Sequence, residues 1–329
     1  MHLNLSAFAT DPFPCEAIYF WGGGKAGSTT LATFLKHDYN NSGYDPNSEF
    51  IDSPKEICWA LQQRRGFGSE IGSLSKWRGM THGQKCHPDD KRFVLDACPR
   101  YSAKEQAQAI IEENPHAKFL MLIRNPVDRL VSNINDVRRG PTVDVEEVAK
   151  KLLKRNVGWD GMNDSNTQNL RDRNGNHNLL RDRLIERKFD HISQISRSHW
   201  ELSLYGENLR NLLTVVPSSQ VLVVQTEALS RNAQETMNNI LSFIGANKSK
   251  KVKTLHENQL HDRTSYKTIS PELRLELEAA FRADHVLLLQ LLRGKTFAWS
   301  WVADGSNSSA VDDWLTTTPA DDKNRDVAY

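Results

Sequence analysis

The chain has 329 residues, 38% of them hydrophobic and 25% charged, which is enough apolar material to bury a substantial core and argues against disorder as a global description. Its 42 basic and 41 acidic side chains almost cancel. That balance excludes a broad cationic surface for nucleic acid or membranes, so any anion site must be local.

The N-terminal stretch MHLNLSAFATDPFPCE lacks a basic segment followed by an apolar one. No window approaches the roughly 18 to 20 apolar residues of a membrane span, so a soluble, cytoplasmic protein is expected. Cys15, Cys58, Cys86 and Cys98 are too widely spaced for a redox or zinc motif, and the expectation is reduced, mostly buried thiols.

In chain order, AIYFW at 17–21 is a short aromatic-rich run bounded by glycines, which suits a buried strand, and TLATFLKHDY places Leu31, Phe34 and Leu35 at helical spacing. A second strand and helix follow in KFLMLIRNPVDRLVSNINDVRR. Residues 119–123 form the strand, Asn125 and Pro126 break it, and Val127, Leu130, Val131 and Ile134 face inward from the helix. The stretch 139–190 is rich in Asn, Asp, Arg and Gly and is expected to be a polar insertion with short helices, either a lid or a plain surface loop. QVLVVQ is a third strand, followed by a helix in NAQETMNNILSFIG that Gly245 closes. SPELRLELEAAFRADHVLLLQLLRG is one long helix or a helical pair, with Ser270 as N-cap before Pro271. The fold expected is α/β, three layers around a central parallel sheet, P-loop-like in its strand and glycine-loop connection. It forms one domain over 1–302, with a polar tail at 303–329.

The glycine loop holds the strongest chemical signal. In a parallel sheet, ligands sit at the C-terminal strand edge, where a helix N-terminus offers N–H groups and partial positive charge. Gly22, Gly23, Gly24 and Gly27 let the backbone approach an anion; Lys25 adds a charge, and Ser28, Thr29 and Thr30 add hydroxyl donors. The nucleoside-triphosphate motif fails twice. Tyr19 replaces its first glycine, and Ala26 follows the lysine where a magnesium-binding hydroxyl belongs. Gly22, Gly24 and Gly27 fit the dinucleotide spacing, but no acidic residue is read as closing a second strand about 20 residues on. A plain glycine turn with a solvated lysine remains the bland alternative.

These residues resemble the sulfotransferases that use 3′-phosphoadenosine 5′-phosphosulfate (PAPS). The family's 5′-phosphosulfate loop has the pattern K-x-G-[ST]-[ST]-x-L, matched by Lys25, Ala26, Gly27, Ser28, Thr29, Thr30 and Leu31. Its 3′-phosphate signature, R-[DN]-P-x-[DE]-R with a serine eight positions after the first arginine, is matched by Arg124, Asn125, Pro126, Asp128, Arg129 and Ser132. A guanidinium fork and a hydroxyl two helical turns on suit a phosphate; the bland alternative is a surface ion pair of Arg124 with Asp128. More weakly, SPKEICWAL and DACPRY are similar to segments of the glycan-type, heparan-sulfate-like branch: the first would make Glu56 the general base, and the second matches an acid-Lys-[ST]-Pro-x-Tyr pattern at Asp96, Pro99 and Tyr101. Ala97 stands where that branch carries a lysine. The family's glycine-and-lysine loop that closes over the cofactor is not matched; HDRTSYKTISPE stands there, with Arg263 and Lys267 as candidate substitutes.

The resemblance implies in-line transfer of a sulfuryl group from PAPS to a hydroxyl or amine of a glycan or small-molecule acceptor, with release of adenosine 3′,5′-bisphosphate. Lys25 and Glu56 would be catalytic; Gly24, Lys25, Ala26, Gly27, Ser28, Thr29, Thr30, Arg124 and Ser132 would bind the donor. No metal is required, and His82, His87, His256 and His261 show no ligand spacing. Glu56 could equally pair with Lys55 or Arg64, and Trp77, Arg78, Arg138 and Arg139 are candidates for an acceptor surface. Glycan sulfotransferases of this type carry a membrane anchor, so a trimmed chain would belong to the Golgi lumen. A P-loop kinase and a non-catalytic phosphoadenosine-binding protein are the competing functions.

Overall fold

Three strands are apolar except at one terminal residue each, Glu16, Lys118 or Gln225, as burial on both faces demands. In β1 (Glu16–Trp21), Ala17, Tyr19 and Trp21 enter one core layer while Ile18 and Phe20 enter the other. In β4 (Lys118–Ile123), Phe119, Met121 and Ile123 oppose Leu120 and Leu122 in the same way. In β5 (Val221–Gln225), Val221 and Val223 oppose Leu222 and Val224. Each such side chain contributes about 1.5–3 kcal/mol on burial.

The computed structural model describes residues 16–22, 24–39, 48–51, 58–62, 91–98, 101–137, 144–157, 200–246 and 267–293. Two further strands, β2 (Ser48–Ile51) and β3 (Lys91–Asp96), complete a five-stranded sheet of order β2-β3-β1-β4-β5 in which every pairing is parallel. The registers pair Trp21 with Met121 and Ile123 with Gln225. The C-terminal ends of β1, β4 and β5 therefore lie side by side. Because β1 sits between β3 and β4, the chain crosses over beside its C-terminus, the position at which open α/β sheets take ligands.

Helices cover both faces. α1 (Ser28–Thr33) runs into a π-helical stretch, Phe34–Asp38, and packs Leu31, Phe34 and Leu35 on the sheet. α2 (Trp59–Gln62), α3 (Lys104–Glu113) and α6 (Tyr205–Leu213) contribute to the opposite layer, where Trp59, Ile110 and Leu209 are buried. After β5 come α7 (Thr226–Arg231) and α8 (Ala233–Ile244), the latter closed by Gly245 in the left-handed conformation, as expected for a C-terminal glycine.

A third cluster joins α4 (Pro126–Val137), α5 (Val145–Val157) and α9 (Pro271–Leu292). The four residues expected to face inward from α4, Val127, Leu130, Val131 and Ile134, are all buried there. α9 is one continuous helix, and the Ser270 hydroxyl accepts from Leu273 N–H at its start. α5 falls inside the stretch read as a polar insertion, yet buries Val145, Val148, Ala149, Leu152 and Leu153 against its neighbours. The polar stretch 158–190 and the tail lie outside the described residues.

One expectation is corrected: Cys58 and Cys98 form a disulfide, so these two are not reduced thiols. β3 delivers Cys98 just beyond its end, beside the start of α2. Cys15 and Cys86 lie outside the described residues. No helix among the described residues is long and apolar enough to cross a membrane.

Candidate active site

The loop after β1 takes its shape from three left-handed residues, Gly22 (φ 79°), Lys25 (φ 71°) and Gly27 (φ 78°). Two are glycines, for which this region is free of strain; Lys25 holds it against a steric cost of roughly 1–2 kcal/mol. Such strain marks a backbone held in place by its surroundings. Two contacts do the holding. Gly22 N–H donates to the Tyr101 carbonyl at 2.7 Å, and the Lys25 carbonyl accepts from Nη1 of Arg124 at 3.3 Å.

Gly27 is the N-cap of α1 and has no side chain to accept from the helix's first N–H groups. Ala26 is fully buried and Ser28 nearly so, whereas Gly24, Lys25, Thr29 and Thr30 are partly exposed. Apolar contact thus fixes the floor of the loop while Lys25 and two hydroxyls stand nearer solvent. The residue pattern offers donors, a cation and a helix N-terminus, the chemistry an anionic group requires.

The second half-site begins where β4 ends. Arg124 N–H donates to the Tyr205 hydroxyl at 3.2 Å, and its guanidinium reaches the glycine loop through the Lys25 contact. Asn125 caps α4: its Oδ1 accepts from the N–H groups of Val127 at 3.0 Å and Asp128 at 3.2 Å, with Pro126 at the first helical position. Asp128 pairs with Arg274 of α9, the interaction that ties the motif to the third cluster. Arg129 is fully buried, and its Nη1 donates to Oγ of Ser203 at 3.3 Å; burial pulls its pKa down to about 10. Tyr205, also buried, is pushed up to about 12 by desolvation. Ser132 is half-buried on α4, two turns beyond Arg124.

Behind the loop lies a buried polar knot. The fully buried Asp96 accepts from Cys58 N–H through Oδ1 at 3.2 Å and from the Tyr101 hydroxyl through Oδ2 at 2.8 Å. The same hydroxyl accepts from Ala60 N–H at 3.2 Å. Burial first, and then the Asp96 charge, raise Tyr101 well above the usual phenol range. With the Cys58–Cys98 disulfide, this knot fixes the chain immediately after residue 57 to the end of β3. Ala97, in place of the lysine of the heparan-type pattern, is buried. Glu56, Lys55, Pro99, Trp77, Arg78, Arg138, Arg139 and Arg263 lie outside the described residues; Lys267 uses its backbone N–H and carbonyl on the Asn135 side chain.

The structure therefore brings Lys25, Gly27 and Arg124 to one sheet edge, with Asn125 capping the helix that carries Ser132. Sequence reasoning missed Thr226 and Glu227, which follow β5 and touch both half-sites. The Thr226 hydroxyl lies 2.8 Å from the Ala26 carbonyl and 3.0 Å from the Ile123 carbonyl. Glu227 Oε1 accepts from Asn125 N–H at 2.9 Å. Among the described residues, no group of three His, Cys, Asp or Glu side chains is placed to hold a metal ion.

An open parallel sheet with a lysine-bearing glycine loop and an arginine at adjacent strand ends is the arrangement in which α/β proteins take anionic ligands at the C-terminal edge. The particular family follows from the sequence as a whole: a sulfotransferase domain profile matches residues 22–273, and the chain belongs to that family, whose activity is sulfuryl transfer. Among solved structures, the sulfotransferase of Alicyclobacillus acidocaldarius shares the fold at a TM-score of 0.57 and 18% identity, covering 86% of this chain and 96% of that one. The sulfotransferase domain of the Synechococcus PCC 7002 olefin synthase scores 0.43 at 16% identity, over 86% and 96% of the two chains. A mouse sulfotransferase complexed with PAP scores 0.43 at 12% identity, over 92% and 89%. No curated protein matches the chain significantly.

Proposed function

We propose that the donor is PAPS and that residues 24–30 hold its 5′-phosphosulfate while Arg124 and Ser132 hold its 3′-phosphate. The observation that carries this reading is the 3.3 Å contact between the Arg124 guanidinium and the Lys25 carbonyl. Two anion cradles that touch can serve two ends of one small ligand. The residues also fit the group chemically: Lys25, Thr29, Thr30 and Arg124 are cations or hydroxyl donors with partial exposure, and Gly27 keeps its backbone open to close approach.

PAPS supplies an activated sulfuryl group whose transfer resembles phosphoryl transfer, so the protein's task is positioning and charge stabilisation. Lys25 neutralises the negative charge that develops on the leaving phosphate oxygen. Glu56 takes the acceptor's proton, an effect of about 10²- to 10⁴-fold, and the Asp96–Tyr101 knot with its disulfide anchors the chain directly after it. The acceptor is a hydroxyl or amine on a glycan or small molecule. The Cys58–Cys98 disulfide favours an oxidising compartment over the cytoplasm.

The test is to mix the purified chain with PAPS and a panel of hydroxyl and amine acceptors and to follow release of adenosine 3′,5′-bisphosphate. Acceptor-dependent release is expected. Tight binding of the bisphosphate with no turnover of any acceptor would leave a binding protein instead, and hydrolysis or transfer from ATP would point to a kinase.

A further inference from the structure

β5 ends one residue before Thr226, and the sheet register places that end level with the end of β4. Thr226 and Glu227 sit at this junction; Thr226 contacts both cradles and Glu227 the second, although neither carries a positive charge. The Thr226 hydroxyl has one proton, yet it stands within hydrogen-bond reach of two carbonyls from different half-sites. Ala26 O at 2.8 Å belongs to the glycine loop, and Ile123 O at 3.0 Å is the last β4 carbonyl before Arg124. Its methyl group lies 3.3 Å from the point where a Cβ on Gly27 would stand, so the side chain also braces the loop's left-handed glycine.

Glu227 acts on the second half-site alone. Its Oε1 accepts the N–H of Asn125, the residue that directly follows Arg124 and caps α4. Its Oε2 is buried and has no hydrogen-bond partner among the described residues. Burial raises the carboxyl's pKa, and the nearby Arg124 charge opposes that rise. A buried carboxylate is costly to retain, so its use as the acceptor for one backbone N–H beside Arg124 calls for a role in fixing that turn.

Resting on the PAPS reading above, we propose that Thr226 and Glu227 are positioning residues that set the spacing between the two cradles, and thereby make the site selective for adenosine nucleotides phosphorylated at both the 5′ and 3′ positions. Thr226 joins loop to strand. Glu227 holds the turn from which Arg124 projects. Neither is assigned a contact with the transferred group; both act through backbone atoms of the loop and the turn that carry the two cradles.

Calorimetric titration with adenosine 3′,5′-bisphosphate and with adenosine 5′-phosphate tests this, using the unmodified chain, Thr226→Val, Thr226→Ser, Glu227→Ala and Glu227→Gln. Thr226→Val, which keeps the shape and removes the hydroxyl, is expected to weaken bisphosphate binding about five- to tenfold, the value of a lost hydrogen bond. Monophosphate binding should change less than about twofold, since a ligand that engages one cradle does not sense the spacing between them. Thr226→Ser should restore the bisphosphate affinity. Glu227→Ala should weaken it about tenfold, and Glu227→Gln, which keeps an oxygen for Asn125 N–H, should stay within about threefold of the parent. In turnover, Thr226→Val should raise KM for PAPS and leave KM for the acceptor unchanged.

Equal affinity losses for both ligands, or a Thr226→Val chain that binds the bisphosphate as tightly as the parent, would overturn the positioning role while leaving the PAPS assignment standing. An unmodified chain that binds no bisphosphate would overturn both.

Discussion

Two neighbouring strand ends are secured in opposite ways. At the end of β3, the described polar knot is turned inward: Asp96 and Tyr101 satisfy one another and the N–H groups of Cys58 and Ala60, and a disulfide locks the result. At the end of β1, the holding contacts fall on backbone atoms: the Lys25 and Ala26 carbonyls accept from Arg124 and Thr226, while Lys25, Thr29 and Thr30 keep partial exposure. The contrast separates scaffold from site. A binding loop can be rigid and still receptive when much of the structural load falls on its backbone and its polar side chains keep partial exposure.

The largest effect expected from this contrast is on stability, at the β3 end. Cys98→Ser opens a bridge between residues 40 apart in sequence and should cost about 4 kcal/mol on loop-entropy grounds. The measurement is the midpoint of denaturant unfolding. Nucleotide affinity of the folded chain should change little; a large loss of affinity with little loss of stability would invert the division drawn here. Next in size is Lys25→Met at the β1 end, expected to lower kcat about 10²- to 10³-fold, roughly 3–4 kcal/mol of transition-state stabilisation. Its melting temperature should stay nearer the parent's than that of Cys98→Ser, because the Arg124 contact is made to the Lys25 carbonyl, which the substitution keeps. A melting temperature as depressed as that of Cys98→Ser would merge the two classes.

The smallest effect concerns α6, whose Tyr205 supports Arg124. Asp284 on α9 accepts from the N–H groups of Gly206 and Glu207, both at 2.9 Å, and burial pushes its pKa up to about 6 from an ordinary 3.8. A carboxyl raised in the folded state binds more protons there than in the unfolded chain. Its contribution to stability is therefore fully present below pH 3.8 and is lost as pH rises through about 6, a change of up to about 3 kcal/mol. Asp284→Asn should flatten that part of the stability profile between about pH 4 and 6, as read by denaturant midpoints across that range.

What could be read from sequence was what depends on neighbours along the chain. β1, β4 and β5 announce themselves because several consecutive apolar residues are needed for burial on both faces, and Gly245 and Ser270 cap their helices through contacts within four residues. Lys25 and Arg124 were legible because each sits inside a short motif at a strand end. The β3 strand KRFVLD was not read from periodicity: two basic residues open it and an aspartate closes it, although Asp96 is fully buried by partners that fold back from Cys58 and Tyr101. The disulfide escaped for the same reason, since parallel pairing and crossover bring Cys58 to Cys98 without any spacing rule. Thr226 and Glu227 fall between the strand and the helix read from the sequence and belong to no motif there; their partners lie 200 and 102 residues away.

That long reach has a consequence for how the protein matures. The proposed donor site joins residues from near the start of the chain to Arg124 in its middle, and Thr226, proposed to set their spacing, arrives only from beyond β5. Contacts this distant are slow to form. Full affinity for the bisphosphate is therefore expected only after β5 has docked, and a bound nucleotide would then stabilise the completed sheet by an amount that grows with the ratio of its concentration to its Kd. Protection from proteolysis by adenosine 3′,5′-bisphosphate would accordingly serve as a direct report of chains that have finished folding.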